Sequence, residues 1–176
     1  MSDQLKFPPP LPGEYHEYYE SYIARVNPET LEQDFASQPD QFNELLADLP
    51  EGEDSKLHEP YTWTLKQLMG HMIDCERIFS TRMLRIASGD TMPMPGMDQN
   101  AYVDAMDYNS VTMESLLKEF EFLRKANIEL ANRLKPESLA WMGTASDTPV
   151  STRANLYILV GHVKYHLPII KKRLGS

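Results

Sequence analysis

The chain has 176 residues, a formal net charge of −9 at pH 7 and 41% hydrophobic residues. This length and composition are typical of an ordinary globular protein, so we expect a single domain spanning 1–176. A protein that binds nucleic acid usually carries a basic face that neutralises phosphates, so the acidic balance argues against nucleic acid as a partner.

The sequence also argues against a membrane or exported protein. No run reaches the roughly 18 consecutive apolar residues of a membrane span, and the N-terminal residues contain no apolar segment of a signal peptide. Cys75 is the only cysteine, which excludes an internal disulfide and suits a reducing compartment. These features predict a cytoplasmic protein with no membrane association.

The N-terminal third predicts an extended arm followed by an interrupted helical region. Residues 7–13 read FPPPLPG, and proline fixes φ, so residues 1–13 should form an extended proline-rich arm. A helical pattern begins near Glu14 and continues to about Leu49. Pro28 and Pro39 lie inside it, which indicates one bent helix or two shorter ones.

The second helix has a clear start. Thr64 and Gln67 form a capping-box pattern ahead of apolar residues spaced near 3.6. The helix should continue to about Ser88. The next segment, 91–109, contains Pro93, Pro95 and Gly96 and has no sustained helical period. It is longer than the usual connection between neighbouring helices, so it suits a crossover or part of a binding site.

Two further helices complete the predicted fold. One begins at Ser110 or Thr112 and ends near Leu134, and the other begins after Ser151 and ends before Gly175. The segment between them reads as a polar connection, and alternation typical of strands is nowhere sustained. The pattern therefore predicts an all-α four-helix bundle with a long connection between helices 2 and 3.

Three histidines form the strongest chemical signal. His162 and His166 lie one turn apart on the apolar side of the last helix, so their imidazoles can converge on one ion. His71 lies on the inward side of the second helix. A tripod of these three residues, with an open fourth position, would suit a catalytic metal site. On these residues alone, ordinary buried histidines remain an alternative.

Two motifs resemble the DinB-like family of metalloenzymes. They are GHMIDCER at 70–77 and GHVKYHLP at 161–168, and weaker agreement comes from Trp63, from MPGMDQN at 94–100 and from Arg124. The resemblance covers about 63–173. It implies a four-helix bundle, often a homodimer, that binds a divalent metal ion, usually zinc or nickel, through three histidines. The matching positions are His71, His162 and His166.

The resemblance also implies an activity. Characterised relatives include transferases that conjugate a low-molecular-weight thiol to an electrophile, so we expect a small-molecule substrate and a metal-dependent thiol transferase. A metal-dependent hydrolase is the nearest alternative. A non-catalytic bundle, either a metal-binding stress protein or a dimerising module, is the alternative from another class. The sequence offers no convincing catalytic base or nucleophile, so no catalytic residue is assigned.

Other residues have weaker roles. Asp74 or Glu76 could accept the second N–H of a metal-bound histidine, and Cys75 reads as a small core residue. The row Tyr18, Tyr19 and Tyr22 suggests an exposed edge suited to dimerisation. His16 and His58 lie in polar segments and are assigned no role.

Overall fold

The computed structural model describes residues 5–175, and its long helices follow the amphipathic segments of the sequence. The helices are α1 (Glu20–Ile23), α2 (Leu31–Leu46), α3 (Leu65–Ala87), α4 (Gln99–Ala105), α5 (Met113–Asn132) and α6 (Thr152–Leu174). The longer helices α2, α3, α5 and α6 pack against one another as a bundle. The predicted four-helix bundle is confirmed.

Helix α3 begins where its capping box predicts. The Thr64 hydroxyl accepts from the amide of Gln67, and the Gln67 side chain accepts from the amide of Thr64. The helix ends at Ser88, and Gly89 follows with a φ of 77°. Because α3 packs against both α5 and α6, its inward residues belong to the centre of the core.

Helix α6 is buried around almost its whole N-terminal half. Its N-cap is Ser151, as predicted, whose hydroxyl accepts from the amide of Ala154, and every residue from 152 to 163 is buried. A helical segment that is buried on every side lies inside the fold, and its polar residues need partners there: Arg153 pairs with Glu14. This central position places the histidines of α6 deep in the bundle, opposite α3.

The N-terminal region forms two separate pieces. A 3-10 turn at Glu17–Tyr19 leads into α1, and α2 follows with Pro39 inside it. Helix α1 lies directly against α6, because Gly161 has no side chain: a Cβ there would lie 2.2 Å from the carbonyl oxygen of Tyr22. Of the predicted proline-rich arm, residues 1–4 lie outside the described residues. The part from residue 5 onward is attached to the bundle, since the Tyr157 hydroxyl donates to the carbonyl of Phe7.

The connection after α5 contains a small hairpin, so the prediction of a polar, strand-free connection is wrong there. Strands β1 (Met142–Ala145) and β2 (Thr148–Ser151) pair antiparallel, with Ala145 opposite Thr148. Four-residue strands are too short to show clear alternation. Ser146 and Asp147 form the turn with φ values of 53° and 59°, the left-handed conformation that two-residue hairpins require.

The long connection between α3 and α5 is held against this hairpin. Met94 forms a bridge with Ala145, and the amide of Ser146 donates to the carbonyl of Met94. Inside the connection lies the short helix α4, which is capped by Asp98. These contacts place residues 94–99 and Ser146 beside each other at one end of the bundle. Within residues 5–175, no helix combines the length and the apolar character that a bilayer crossing requires.

Candidate metal centre

The three predicted histidines converge at the interface of α3 and α6. The Nε2 atom of His162 lies 3.2 Å from Nε2 of His71 and 3.1 Å from Nε2 of His166. One ligand nitrogen from each residue lies within 4.8 Å of the others. His71 and His162 are buried, and His166 is partly buried. The structure therefore brings together the three residues that the sequence singled out.

The distances between the nitrogens fit a divalent ion. Ligands about 2.0–2.1 Å from a tetrahedral ion lie about 3.3 Å from each other, close to the two measured separations. A neutral imidazole nitrogen carries either one N–H or one lone pair. His162 Nε2 therefore cannot form good hydrogen bonds with both neighbours through one lone pair, whereas an ion between the rings would accept a lone pair from each.

The electrostatic state of the histidines also suits metal binding. Burial lowers the pKa of His71 to about 4. Burial and the neighbouring His71 lower the pKa of His166 to about 3. Burial, with His166 and His71 nearby, lowers the pKa of His162 well below its ordinary value. All three rings are thus neutral at pH 7, and a neutral imidazole is the form that binds a metal.

The carboxylates near His71 form contacts away from the histidines. Asp74 accepts a 2.7 Å hydrogen bond from the Tyr108 hydroxyl. Glu76 is 1% exposed and pairs with Arg124 and Asn127 inside the core. The prediction that Asp74 or Glu76 contacts a histidine ring is therefore wrong. Nδ1 of His166 is buried without a protein partner among the described residues.

Cys75 is a core residue, as predicted, but it also borders the histidines. Its Sγ lies 3.7 Å from Nε2 of His71, and it is outside the group whose ligand atoms all converge. Burial and the nearby carboxylates of Glu76 and Asp74 raise the pKa of the Cys75 thiol. Without a metal, this thiol stays protonated at neutral pH and is a poor nucleophile.

Two neighbouring cavities border the histidines. The inner cavity, about 80 Å³, is bordered by His71 and His162 and opens toward a wider mouth of about 610 Å³. The aromatic cavity, about 340 Å³, is bordered by His166. Its other walls include Tyr61, Trp63, Tyr165 and Arg173.

The tyrosines of the N-terminal region belong to these cavities. Tyr22 packs edge-on against His162 and Tyr165, with ring centroids 5.2 and 5.1 Å apart. Tyr18 is 61% exposed and borders both cavities and the mouth, and Tyr19 packs against Phe79. The exposed edge predicted from these residues therefore faces the candidate site, and it gives no support to a dimer interface.

Several lining residues were missed from the sequence. Arg82 continues the row of His71, Cys75 and Phe79 along α3, so its spacing could have identified it. Ser146 and Gln99 reach the site only because the hairpin and α4 fold beside α3. His16 and His58 lie outside the centre: His16 caps the 3-10 turn, and His58 contacts Glu53.

Comparisons with known proteins agree with this fold. Residues 34–170 match the family model described as the DinB superfamily. YfiT from Bacillus subtilis, described as a probable metal-dependent hydrolase with an unusual four-helix bundle topology, has a similar structure. The TM-score is 0.71 at 15% sequence identity, covering 94% of this chain and 93% of that chain. No curated protein matches the chain. At this identity the likeness to YfiT concerns the fold alone.

The lowered pKa values predict how stability depends on pH. Unfolded histidines bind protons near pH 6.5, whereas folded His71 and His166 stay neutral down to about pH 4 and 3. Between these values the unfolded state binds more protons, so acidification lowers the free energy of unfolding by about 1.4 kcal/mol per pH unit for each histidine.

Chemical denaturation of the metal-free protein at pH 7 and pH 5 measures this effect. The double variant His71→Gln/His166→Gln should lose less stability over the interval than the wild-type protein. Equal losses in the two proteins would show that these histidines are not buried as neutral rings.

Proposed function

We propose, from the premise that this chain belongs to the DinB superfamily, that it is a metal-dependent enzyme. His71, His162 and His166 would bind one divalent ion, either zinc or nickel. The observation that carries the proposal is the convergence of three neutral, largely buried Nε2 atoms beside two open cavities. Such an ion, with its charge uncompensated by ligands, lowers the pKa of a thiol or water that occupies its open position.

Within the proposed metal-dependent function, the two cavities favour a thiol transferase as the specific reaction. Two cavities meet at the histidines, and a conjugation reaction needs two binding regions, one for a low-molecular-weight thiol and one for an electrophile. Neither of these cavities is bordered by an aspartate or glutamate among residues 5–175. Hydrolytic zinc centres of the HExxH type place a carboxylate base beside the ion, whereas a thiol whose pKa the ion lowers would need no such base.

The chain's own residues would bind and orient the electrophile. Met97 and Gln99, from the long connection predicted to form part of the site, border the inner cavity and the mouth. Trp63 lies with its ring centroid 5.0 Å from that of His71, and Tyr22 covers His162. These aromatic walls would exclude water and hold an apolar or planar group close to the open position.

A metal-dependent hydrolase is the second candidate, and the description of YfiT supports it. A non-catalytic metal-binding bundle is the alternative of another class. Assembly as a homodimer and a cytoplasmic location remain predictions that rest on the sequence.

Metal content tests the ligand set. The wild-type protein, purified without a histidine tag, should contain one divalent ion per chain by elemental analysis. His71→Ala, His162→Ala and His166→Ala each remove one of three ligands, so the affinity should fall by more than the roughly 10–100-fold that loss of an outer-shell partner causes. His16→Ala and His58→Ala should leave the metal content unchanged. Full stoichiometry in the His71→Ala and His162→Ala proteins would contradict the site.

Activity with paired substrates separates the candidate functions. The metal-loaded protein should conjugate a small thiol to an electrophile such as 1-chloro-2,4-dinitrobenzene, with a rate that depends on both the thiol and the metal. The His162→Ala protein should show only the uncatalysed rate. Metal-dependent cleavage of ester or amide substrates without thiol-dependent turnover would favour the hydrolase. If the metal-loaded protein catalyses neither reaction, only the non-catalytic assignment is left.

A further inference from the structure

Arg82 is a buried cation without an acidic partner. Its side chain is 5% exposed, and one terminal nitrogen, Nη2, donates to the carbonyl of Pro95 at 2.9 Å and to the Ser146 hydroxyl at 3.0 Å. Among residues 5–175, no carboxylate forms an ion pair with Arg82, and its Nε and Nη1 atoms have no hydrogen-bond partner.

The other buried arginines are neutralised. Arg124 pairs with Glu76, and Arg153 pairs with Glu14. Burying a charged group costs free energy unless it is paired. The chain contains 26 acidic residues against 17 basic ones, yet none of those described compensates Arg82. A cation kept unpaired in an acidic protein suggests that its partner anion comes from outside the chain.

Arg82 faces the same cavity as two of the histidines. The inner cavity is bordered by His71, His162, Arg82 and Ser146. Phe79 lies between the two ends: its ring centroid is 5.8 Å from the guanidinium carbon of Arg82 and 5.8 Å from the ring centroid of His162. A ligand that lies along Phe79 would therefore have one end at the histidines and the other at the guanidinium.

We propose that Arg82, oriented by Ser146, binds the carboxylate of a small organic acid that is the electrophilic substrate of this site. This inference rests on the proposed metal-dependent function and adds the class of its substrate. Nη2 is occupied by Pro95 and Ser146, so Nε and Nη1 remain to donate single charge-assisted hydrogen bonds to the oxygens of a carboxylate. Phe79, Tyr19 and Met97 supply apolar walls for the body of the acid.

A purely structural role would use Arg82 differently. The contacts to Pro95 and Ser146 attach the long connection and the hairpin to α3, but they use only Nη2. A neutral side chain that donates hydrogen bonds would provide the same attachment without the cost of burying a charge. A structural role therefore leaves the free Nε and Nη1 atoms beside the cavity unexplained, whereas a ligand-binding role explains them.

The test compares phenylacetate with its neutral analogue phenylacetamide by isothermal titration calorimetry, using metal-free and zinc-loaded full-length protein. Wild-type protein should bind phenylacetate at least about 10-fold more tightly than the amide in both forms, the preference that charged hydrogen bonds provide. Arg82→Gln should remove that preference. The control variant Arg133→Gln, which removes an exposed positive charge at the C-terminal end of α5, should retain the preference for phenylacetate.

Further variants keep the test decisive if Arg82→Gln does not fold. Arg82→Lys retains the charge and loses the planar guanidinium that Pro95 and Ser146 orient, so its preference should be intermediate, and Ser146→Ala should weaken it. An undiminished preference in the Arg82 variants, or no preference in the wild type, would overturn the proposal.

The metal-free measurements separate this inference from the function on which it rests. A preference that exists only with zinc bound would show that the ion, and not Arg82, binds the carboxylate, which overturns the Arg82 proposal alone. Elemental analysis that finds no specific metal in the wild type would overturn the proposed function. The metal-free comparison of wild type with Arg82→Gln would still decide whether Arg82 binds a carboxylate.

Discussion

The contact between α3 and α6 at His71 and His162 is the constraint on which the site depends. Their Nε2 atoms are 3.2 Å apart although 91 residues separate them in the chain, so only the packed bundle brings them together. Burial makes both rings neutral. When neutral rings are in van der Waals contact, their lone pairs cannot all accept hydrogen bonds from groups of the protein. The same packing that stabilises the fold therefore brings together the nitrogens of the proposed metal site.

The N-terminal segment and the long connection complete this centre. Gly161 allows the backbone of α1 to approach α6, which places Tyr22 over His162. Gly70 plays a similar part on α3: a Cβ there would lie 2.3 Å from the ring of Tyr108, whose hydroxyl in turn binds Asp74. Glycine at these two positions explains why the motifs around the histidines begin with that residue.

Much of the bundle could be predicted because its signals are local. The capping box at Thr64 and the N-cap at Ser151 predict where α3 and α6 begin, and helical spacing places His162 and His166 together. The hairpin at 142–151 and the contact of Met94 with Ala145 depend on residues distant in sequence, so no local pattern revealed them. The partner of Glu76 was missed for the same reason, because Arg124 lies on another helix.

Among the described residues, the buried arginines are paired with carboxylates, with one exception. Arg124 and Arg153 are each paired with a carboxylate, whereas Arg82, beside the histidines, is not. The metal ion and the guanidinium would give the inner cavity two positive centres in an otherwise acidic protein. That arrangement favours an anionic substrate, whose charge would be drawn to the cavity and whose reactive group would be oriented toward the ion.

The most direct test of the histidine centre is anomalous X-ray diffraction from crystals of the metal-loaded protein. Data collected on both sides of the absorption edge of the metal should show one strong peak per chain between α3 and α6. That peak should lie about 2.0–2.1 Å from the Nε2 atoms of His71, His162 and His166, with a remaining position directed toward the cavities. A peak elsewhere in the molecule, or none in crystals of protein shown to contain metal, would contradict the proposed centre.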